Sequence, residues 1–129
     1  MTSARLFLAL GALLAALGVV LGAFGAHGLE GRVSADMLAV FETGVRYHLI
    51  HALGLMAVAL TALQLGLSPW LRTAGWLLLT GVVVFSGSLY GLALGGPSWL
   101  GAVAPLGGTA FIVAWLLVAG AALRSGSRE

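Results

Sequence analysis

Four uninterrupted apolar runs, each as long as a membrane-spanning helix, constrain this chain more than any other feature. They cover residues 6–26, 45–67, 73–94 and 101–123. About 20 apolar residues of α-helix cross the hydrocarbon layer of a bilayer, whereas the strands of a membrane barrel alternate apolar and polar residues over short segments. The runs show no such alternation. They therefore predict four transmembrane helices.

The composition agrees with a lipid environment. Hydrophobic residues make up 60% of the 129 residues and charged residues only 8%, which leaves too little polar surface to cover a soluble protein. The chain has no cysteine, which excludes disulfides, thiolate catalysis and cysteine-ligated metals. Its few charges form no nucleic-acid-binding patch. We expect an integral membrane protein whose partner is the lipid bilayer, with no nucleic acid bound.

The connections between the runs predict one domain. Residues 68–70 and 95–98 form short, Pro-containing and Gly-containing turns, so that neighbouring helices are antiparallel. The segment from residue 27 to residue 44 is longer. The predicted fold is an all-α bundle of four helices that occupies residues 1–129.

The arginines predict the orientation of this bundle. With four spans, both termini lie on the same side of the membrane. That side carries more arginines than the other: Arg5, Arg72, Arg124 and Arg128, against Arg32 and Arg46. Because cytoplasmic segments are enriched in basic residues, we expect a multi-pass protein of the cell inner membrane with both termini in the cytoplasm.

The first run contains a stripe of small residues. Gly11, Ala15, Gly18, Gly22 and Gly25 recur at steps of three and four, which places them on one helix face. Membrane helices approach each other closely across such stripes. The stripe predicts a tightly packed partner, either within the bundle or in a homo-oligomer; a cavity beside the stripe is the alternative interpretation.

The connection after the first run predicts a short interfacial helix. Ser34 is a typical N-cap residue and Asp36 lies in the first turn, where a carboxylate is favoured. Gly44 predicts a bend where this helix meets the second span. Glu42 and Arg46, four residues apart with the acid first, predict an ion pair.

The only three histidines of the chain occur near these same segments. His48 and His51 share a helix face with Tyr47, and His27 ends the first run. Such a set is compatible with a metal site, a haem or a proton relay, but no carboxylate lies on this face. We instead predict a polar cap at the outer end of the bundle, with no metal or cofactor. Its residues are His27, Glu42, Arg46, Tyr47, His48 and His51.

Two further segments combine polar and small residues. Ser86 and Ser88 are able to donate hydrogen bonds to helix carbonyls, Gly87 permits close helix approach, and Tyr90 is typical of a membrane interface. In the last run, Pro105 predicts either the first turn of the helix or a kink. Gly107 and Gly108 follow it and favour helix packing.

These motifs together resemble a known family. The segments 22–28, 43–53, 85–90 and 105–108 with Trp115 are similar to the YgdD-like small inner-membrane proteins, a domain-of-unknown-function family with a mitochondrial branch in animals. The four motifs occur in the expected order over nearly the entire chain. Ala104 departs from the pattern, in which a threonine is expected. The resemblance implies a four-helix membrane protein and supplies no catalytic residues.

Three classes of function remain open at this point. The first is an accessory or structural membrane protein, not an enzyme, that acts through contacts with helices, lipid or a larger membrane complex. The second is a small oligomeric transporter or channel, although the predicted span centres lack ionisable groups. The third is a membrane protein with a histidine-ligated metal or haem. We favour the first class, because no catalytic constellation is recognisable in the sequence.

Overall fold

The computed structural model describes residues 2–126, which form helices and no strand in that range. The four long helices are α1 (Ser3–Leu29), α2 (Ala35–Leu65), α3 (Pro69–Ala93) and α4 (Leu100–Ser125). The shortest has 25 residues and is about 37 Å long at 1.5 Å per residue, enough to cross a bilayer. The predicted all-α, four-span fold is confirmed. Arg128, which entered the predicted orientation, lies outside the described residues.

Side-chain caps and glycine turns delimit the helices. The Ser34 hydroxyl accepts a hydrogen bond from the amide of Met37 at the start of α2, and Ser68 caps α3 in the same way. Each cap satisfies an amide that has no partner within its helix. The three connections contain the glycines with positive φ, namely Gly31, Gly66 and Gly95.

The helices pack mainly in two pairs, α1 with α2 and α3 with α4. Helix α2 joins the pairs because it also packs along α3. In contrast, the backbones of α2 and α4 come close together at few positions, and α1 makes no contact with α4 in the described part of the chain. This arrangement leaves a gap between α2 and α4.

The small-residue stripe of α1 faces α2 of the same chain. A Cβ atom added to Gly11 would lie 2.6 Å from Met56 Cγ, and one added to Gly18 would lie equally close to Leu49. Gly25 faces the ring of Phe41 at the other end of the stripe. The stripe therefore brings two helix backbones together within the chain.

The predicted interfacial helix does not exist as a separate element. Residues 35–44 form the first turns of α2, which continues through Gly44 to Leu65. Gly44 is buried, and a Cβ atom there would lie 2.8 Å from the Tyr90 ring. This glycine therefore makes room for an aromatic ring and introduces no bend. Uninterrupted backbone hydrogen bonding is also what a lipid environment favours.

Two helices contain π-helical turns, and α4 contains a proline. The turns lie at Gly25–Leu29 in α1 and Val82–Ser86 in α3. Pro105 lies in the second turn of α4, which continues through it, so the predicted first-turn position is wrong and no break occurs. Near a helix start, proline removes only one hydrogen bond, and the packed helix persists.

Candidate functional site

His48 and His51 lie deep in the bundle, and the prediction that they belong to an outer cap is wrong. Gly18, near the middle of α1, faces the ring of His48. The ring of His51 stacks on that of Phe111, near the middle of α4, with 3.5 Å between centroids. Helix α2 begins ten residues before the predicted span, which helps to place both histidines near mid-depth. Ionisable side chains at that depth are costly and usually functional.

His48 links three helices through two hydrogen bonds. Its Nε2 donates to the backbone oxygen of Leu14 in α1 at 2.7 Å. Its Nδ1 then accepts from the Tyr90 hydroxyl in α3 at 2.9 Å. A carbonyl oxygen only accepts, so the geometry assigns the ring hydrogen to Nε2. Both ring nitrogens are occupied, and we regard His48 as a structural residue.

A second hydrogen bond between helices lies beside this one. Ser86 is fully buried, and its hydroxyl donates to the backbone oxygen of Gly44 at 2.7 Å. The absent side chain of Gly44 allows Tyr90 to approach α2, where it reaches His48. Four residues, two from each helix, therefore form one polar contact region between α2 and α3: Gly44, His48, Ser86 and Tyr90.

His51 differs from His48 in that one ring nitrogen is available. Its Nδ1 donates to the backbone oxygen of Tyr47, one turn earlier, at 2.7 Å. No residue in the described range 2–126 bonds to Nε2. Every polar side-chain atom that is completely buried in that range has a hydrogen-bond partner, so the unbonded Nε2 cannot be completely buried. His51 is nevertheless only 5% exposed. Its Nε2 is therefore a hydrogen-bond acceptor that is not sealed within the bundle, and His51 lines an adjacent cavity.

That cavity is the gap between α2 and α4, and we call it the His51 groove. Its volume is about 440 Å³. Five aromatic or heteroaromatic side chains from three helices form much of its wall: Tyr47 and His51 from α2, Phe85 from α3, and Phe111 with Trp115 from α4. Pro105, Gly108, Thr109 and Ile112 complete the lining. The groove is an aromatic cavity in the lipid-embedded part of the bundle.

The hydroxyl groups in the groove have different partners. Thr109 donates to the backbone oxygen of Pro105 at 2.9 Å, so its hydrogen is already used. The Tyr47 ring is stacked parallel to that of His51, and its hydroxyl bonds to no residue in the described range. The groove residues therefore offer acceptors on His51 Nε2 and on the Thr109 oxygen, and one hydroxyl without a partner in the described range, on Tyr47.

The remaining residues of the predicted cap are separate from this groove. His27 is exposed in the π turn of α1, nine residues and roughly 13 Å along the helix from Gly18. Glu42 and Arg46 are exposed on α2, and no ion pair joins these two described residues. The predicted pair is wrong, since exposed ions gain little from pairing.

The geometry also bears on the metal and haem alternatives. Within residues 2–126, no three His, Asp or Glu side chains come together as a metal site. Both nitrogens of His48 are engaged in hydrogen bonds, and His51 Nδ1 carries a hydrogen. Of these two rings only His51 Nε2 remains available as a ligand, and His27 lies about 13 Å away along α1 from the helix position that faces His48. The three histidines therefore do not form one ligand set.

The other predicted residues have packing positions. Gly22 faces Val45 of α2. A Cβ atom on Gly107 would lie 2.4 Å from the backbone nitrogen of Phe85, so this glycine brings α4 directly against the backbone of α3. Gly87 faces open space, and Ser88 bonds to Val84 within its own helix. Gly108 borders the groove, where Phe85 is at ordinary contact distance.

Sequence reasoning missed Phe111 and the groove itself. Phe85 and Trp115 occur in the segments that carry the family resemblance, but nothing local marks Phe111 as the residue that stacks on His51. The separation of these residues along the chain is the reason. Only the packing of α3 between α2 and α4 brings them together.

Comparison with known proteins gives a consistent result. A family profile described as a protein of unknown function (DUF423) matches residues 21–108. The UPF0382 membrane protein YwdK of Bacillus subtilis is 52% identical over 93% of this chain and 98% of its own length. A UPF0382 membrane protein of Haemophilus influenzae is 38% identical over 84% of this chain and 86% of its own length. No solved structure matches the chain.

Proposed function

Because the chain belongs to the DUF423 family of UPF0382 membrane proteins, a family of unknown activity, we propose a function from its geometry. The protein is an accessory membrane protein that binds an apolar, hydroxyl-bearing molecule from the lipid phase in the His51 groove. The observation that carries this proposal is the open Nε2 of a histidine that is otherwise buried at mid-depth.

The chemistry of the groove selects this class of ligand. In hydrocarbon no water is present to satisfy His51 Nε2, so a bound group that donates a hydrogen bond is favoured there. A hydroxyl group donates to Nε2 and is also able to accept from the Tyr47 hydroxyl. The aromatic walls suit the apolar body of such a molecule, and 440 Å³ lies within the usual range for small-molecule sites.

The cellular setting is part of the same proposal. The protein resides in the inner membrane with both termini in the cytoplasm, as the arginine distribution favours. The proposal assigns the protein no catalytic role. It is supported by Thr109, which lines the groove with His51 but donates its hydrogen to the backbone oxygen of Pro105 and not to the imidazole. We include in this proposal the YgdD-like proteins and their mitochondrial branch, which the sequence motifs resemble.

Extraction of bound molecules tests the proposal. The protein is purified from native membranes in mild detergent, and its organic extract is analysed by mass spectrometry. We expect one hydroxyl-bearing apolar compound at close to one per chain. Replacement of Gly108 by Leu fills the groove, where only the Phe85 ring lies near an added Cβ, and should remove this compound.

Gly101→Leu provides the matched control. Gly101 is exposed on the same helix, does not line the groove, and has only Leu92 near an added Cβ, at 3.8 Å. This variant should retain the compound. Equal extracts from wild type, Gly108→Leu and Gly101→Leu, with bulk membrane lipids alone, would refute the proposed function.

One observation favours a second candidate function, transport. The sequence suggested that no ionisable group lies near the span centres, but the structure places His51 there, beside Phe111. A titratable group at this depth is typical of proton-coupled carriers. Proton or solute flux in proteoliposomes that disappears in His51→Phe and persists in Gly101→Leu would support a transporter.

A further inference from the structure

A second cavity lies at the opposite end of the bundle, where both termini are found. It has a volume of about 590 Å³ and is bounded by the end of α2, the start of α3 and the end of α4. Its walls are partly apolar, including Leu65 and Val118, and partly polar, including Ser68, Arg124 and Ser125. None of these residues belongs to the His51 groove.

Arg124, which lines this cavity, contacts an aromatic ring. Its guanidinium carbon lies 4.6 Å from the centroid of the Trp70 ring, a cation–π distance. The Trp70 ring packs in turn against Gly120, where an added Cβ would lie 2.4 Å away. Arg124 is therefore held over the rim of the cavity.

Within residues 2–126, the charged side chains at this end of the bundle are all basic. Among the described residues, Arg5, Arg72 and Arg124 lie there, whereas Glu30, Asp36 and Glu42 all lie towards the other end. Helix α3 also begins at the cavity with Ser68 and Pro69, and a helix N-terminus favours an anion. Arg124 and the helix N-terminus both favour an anionic group, and the apolar walls favour a hydrocarbon chain attached to it.

We propose that this cavity binds an anionic phospholipid of the adjacent leaflet. The phosphate lies between the Arg124 guanidinium and the start of α3, where the Ser68 hydroxyl already caps the helix and still carries its own hydrogen. An acyl chain follows the apolar wall formed by Leu65 and Val118. Anionic leaflets attract arginines near the surface, and here the cavity makes the attraction specific to one position.

Native mass spectrometry of the delipidated full chain tests this proposal, with phosphatidylglycerol or phosphatidylcholine added at equal concentrations. We expect tighter binding of phosphatidylglycerol by the wild type. Arg124→Ala should weaken that binding about fivefold, and Arg124→Glu should weaken it further. Arg72→Ala is the matched control, since Arg72 is exposed at the same end and does not line the cavity.

The outcomes separate a site from diffuse attraction. An effect confined to Arg124 supports the cavity site, whereas equal losses in Arg72→Ala and Arg124→Ala would overturn it in favour of general surface charge. Equal binding of the two lipids would overturn it as well. Inorganic phosphate is added as a competitor. If it displaces phosphatidylglycerol at equal concentration, the cavity binds an anion without using the acyl chain, which would contradict the proposal.

Discussion

His48 and His51 are three residues apart on one helix, yet their imidazoles have opposite hydrogen-bond patterns. His48 donates through Nε2 to Leu14, whereas His51 donates through Nδ1 to Tyr47. The two residues must therefore be different neutral tautomers. Nitrogen-15 NMR of histidine-labelled protein in lipid should show one ring of each type, with assignments made from His48→Leu and His51→Phe. Two rings of the same tautomer would contradict the structure.

The link between His48 and Tyr90 should have a measurable energy. His48→Leu leaves the Tyr90 hydroxyl without its partner and should lower the free energy of unfolding by about 1–2 kcal/mol. A double-mutant cycle with Tyr90→Phe should give a coupling of about 0.6 kcal/mol, the average for hydrogen bonds between membrane helices. Unfolding in mixed micelles measures both quantities.

A hydroxyl that bonds only within its own helix provides the control for this cycle. Thr80 is exposed and donates to the backbone oxygen of Trp76. Thr80→Val should change the free energy of unfolding by less than about 0.5 kcal/mol. Zero coupling between His48 and Tyr90 would mean that the observed bond contributes nothing to the joining of α2 and α3.

At the scale of the helices, two glycines that both lie within helices should respond differently to the same substitution. An added Cβ at Gly107 meets the backbone of Phe85 at 2.4 Å, whereas none of the described atoms lies within 4 Å at Gly87. Gly107→Ala should therefore lower the free energy of unfolding by about 1–3 kcal/mol. Gly87→Ala should leave it unchanged or raise it by up to about 1 kcal/mol. Similar losses in both variants would show that α3 and α4 do not meet at Gly107.

The helices also show which properties a sequence reveals. The four spans follow from continuous apolar runs, and the close packing of α1 follows from the spacing of Gly11, Gly18 and Gly25. The role of Gly44 does not, because a glycine that bends a helix and one that admits a ring look the same in sequence. Its partner, Tyr90, is 46 residues away in the sequence, and no local pattern predicts the contact between the two residues.

At the scale of the whole molecule, the depth of the histidines was the least predictable property. The depth of a histidine depends on how its helix is aligned along its neighbours. The point at which an apolar run begins in the sequence does not define this alignment. The groove likewise requires that α2 and α4 be held apart by α3. The polar residues of the site were recognisable from their types, but their division into a structural His48 and an open His51 required the packed structure.

The orientation of the molecule is testable because the chain has no cysteine of its own. Ser98 lies exposed in the connection between α3 and α4, and Ser125 lies exposed at the end of α4. In cells whose inner membrane is intact, a membrane-impermeant maleimide should label Ser98→Cys and should label Ser125→Cys only after lysis. The reverse pattern would invert the proposed topology.

The central claim is that the His51 groove holds a specific molecule in the membrane, and photocrosslinking tests it most directly. A benzophenone amino acid replaces Ile112, which lines the groove, or Leu13, which is exposed near mid-depth on α1, a helix without contact to α4. After irradiation of native membranes, position 112 should give one adduct with a hydroxyl-bearing apolar compound. The additional substitution His51→Phe should abolish this adduct. Position 13 should give only adducts with bulk phospholipids. The same phospholipid adducts at both positions, or a protein adduct at position 112, would contradict the claim.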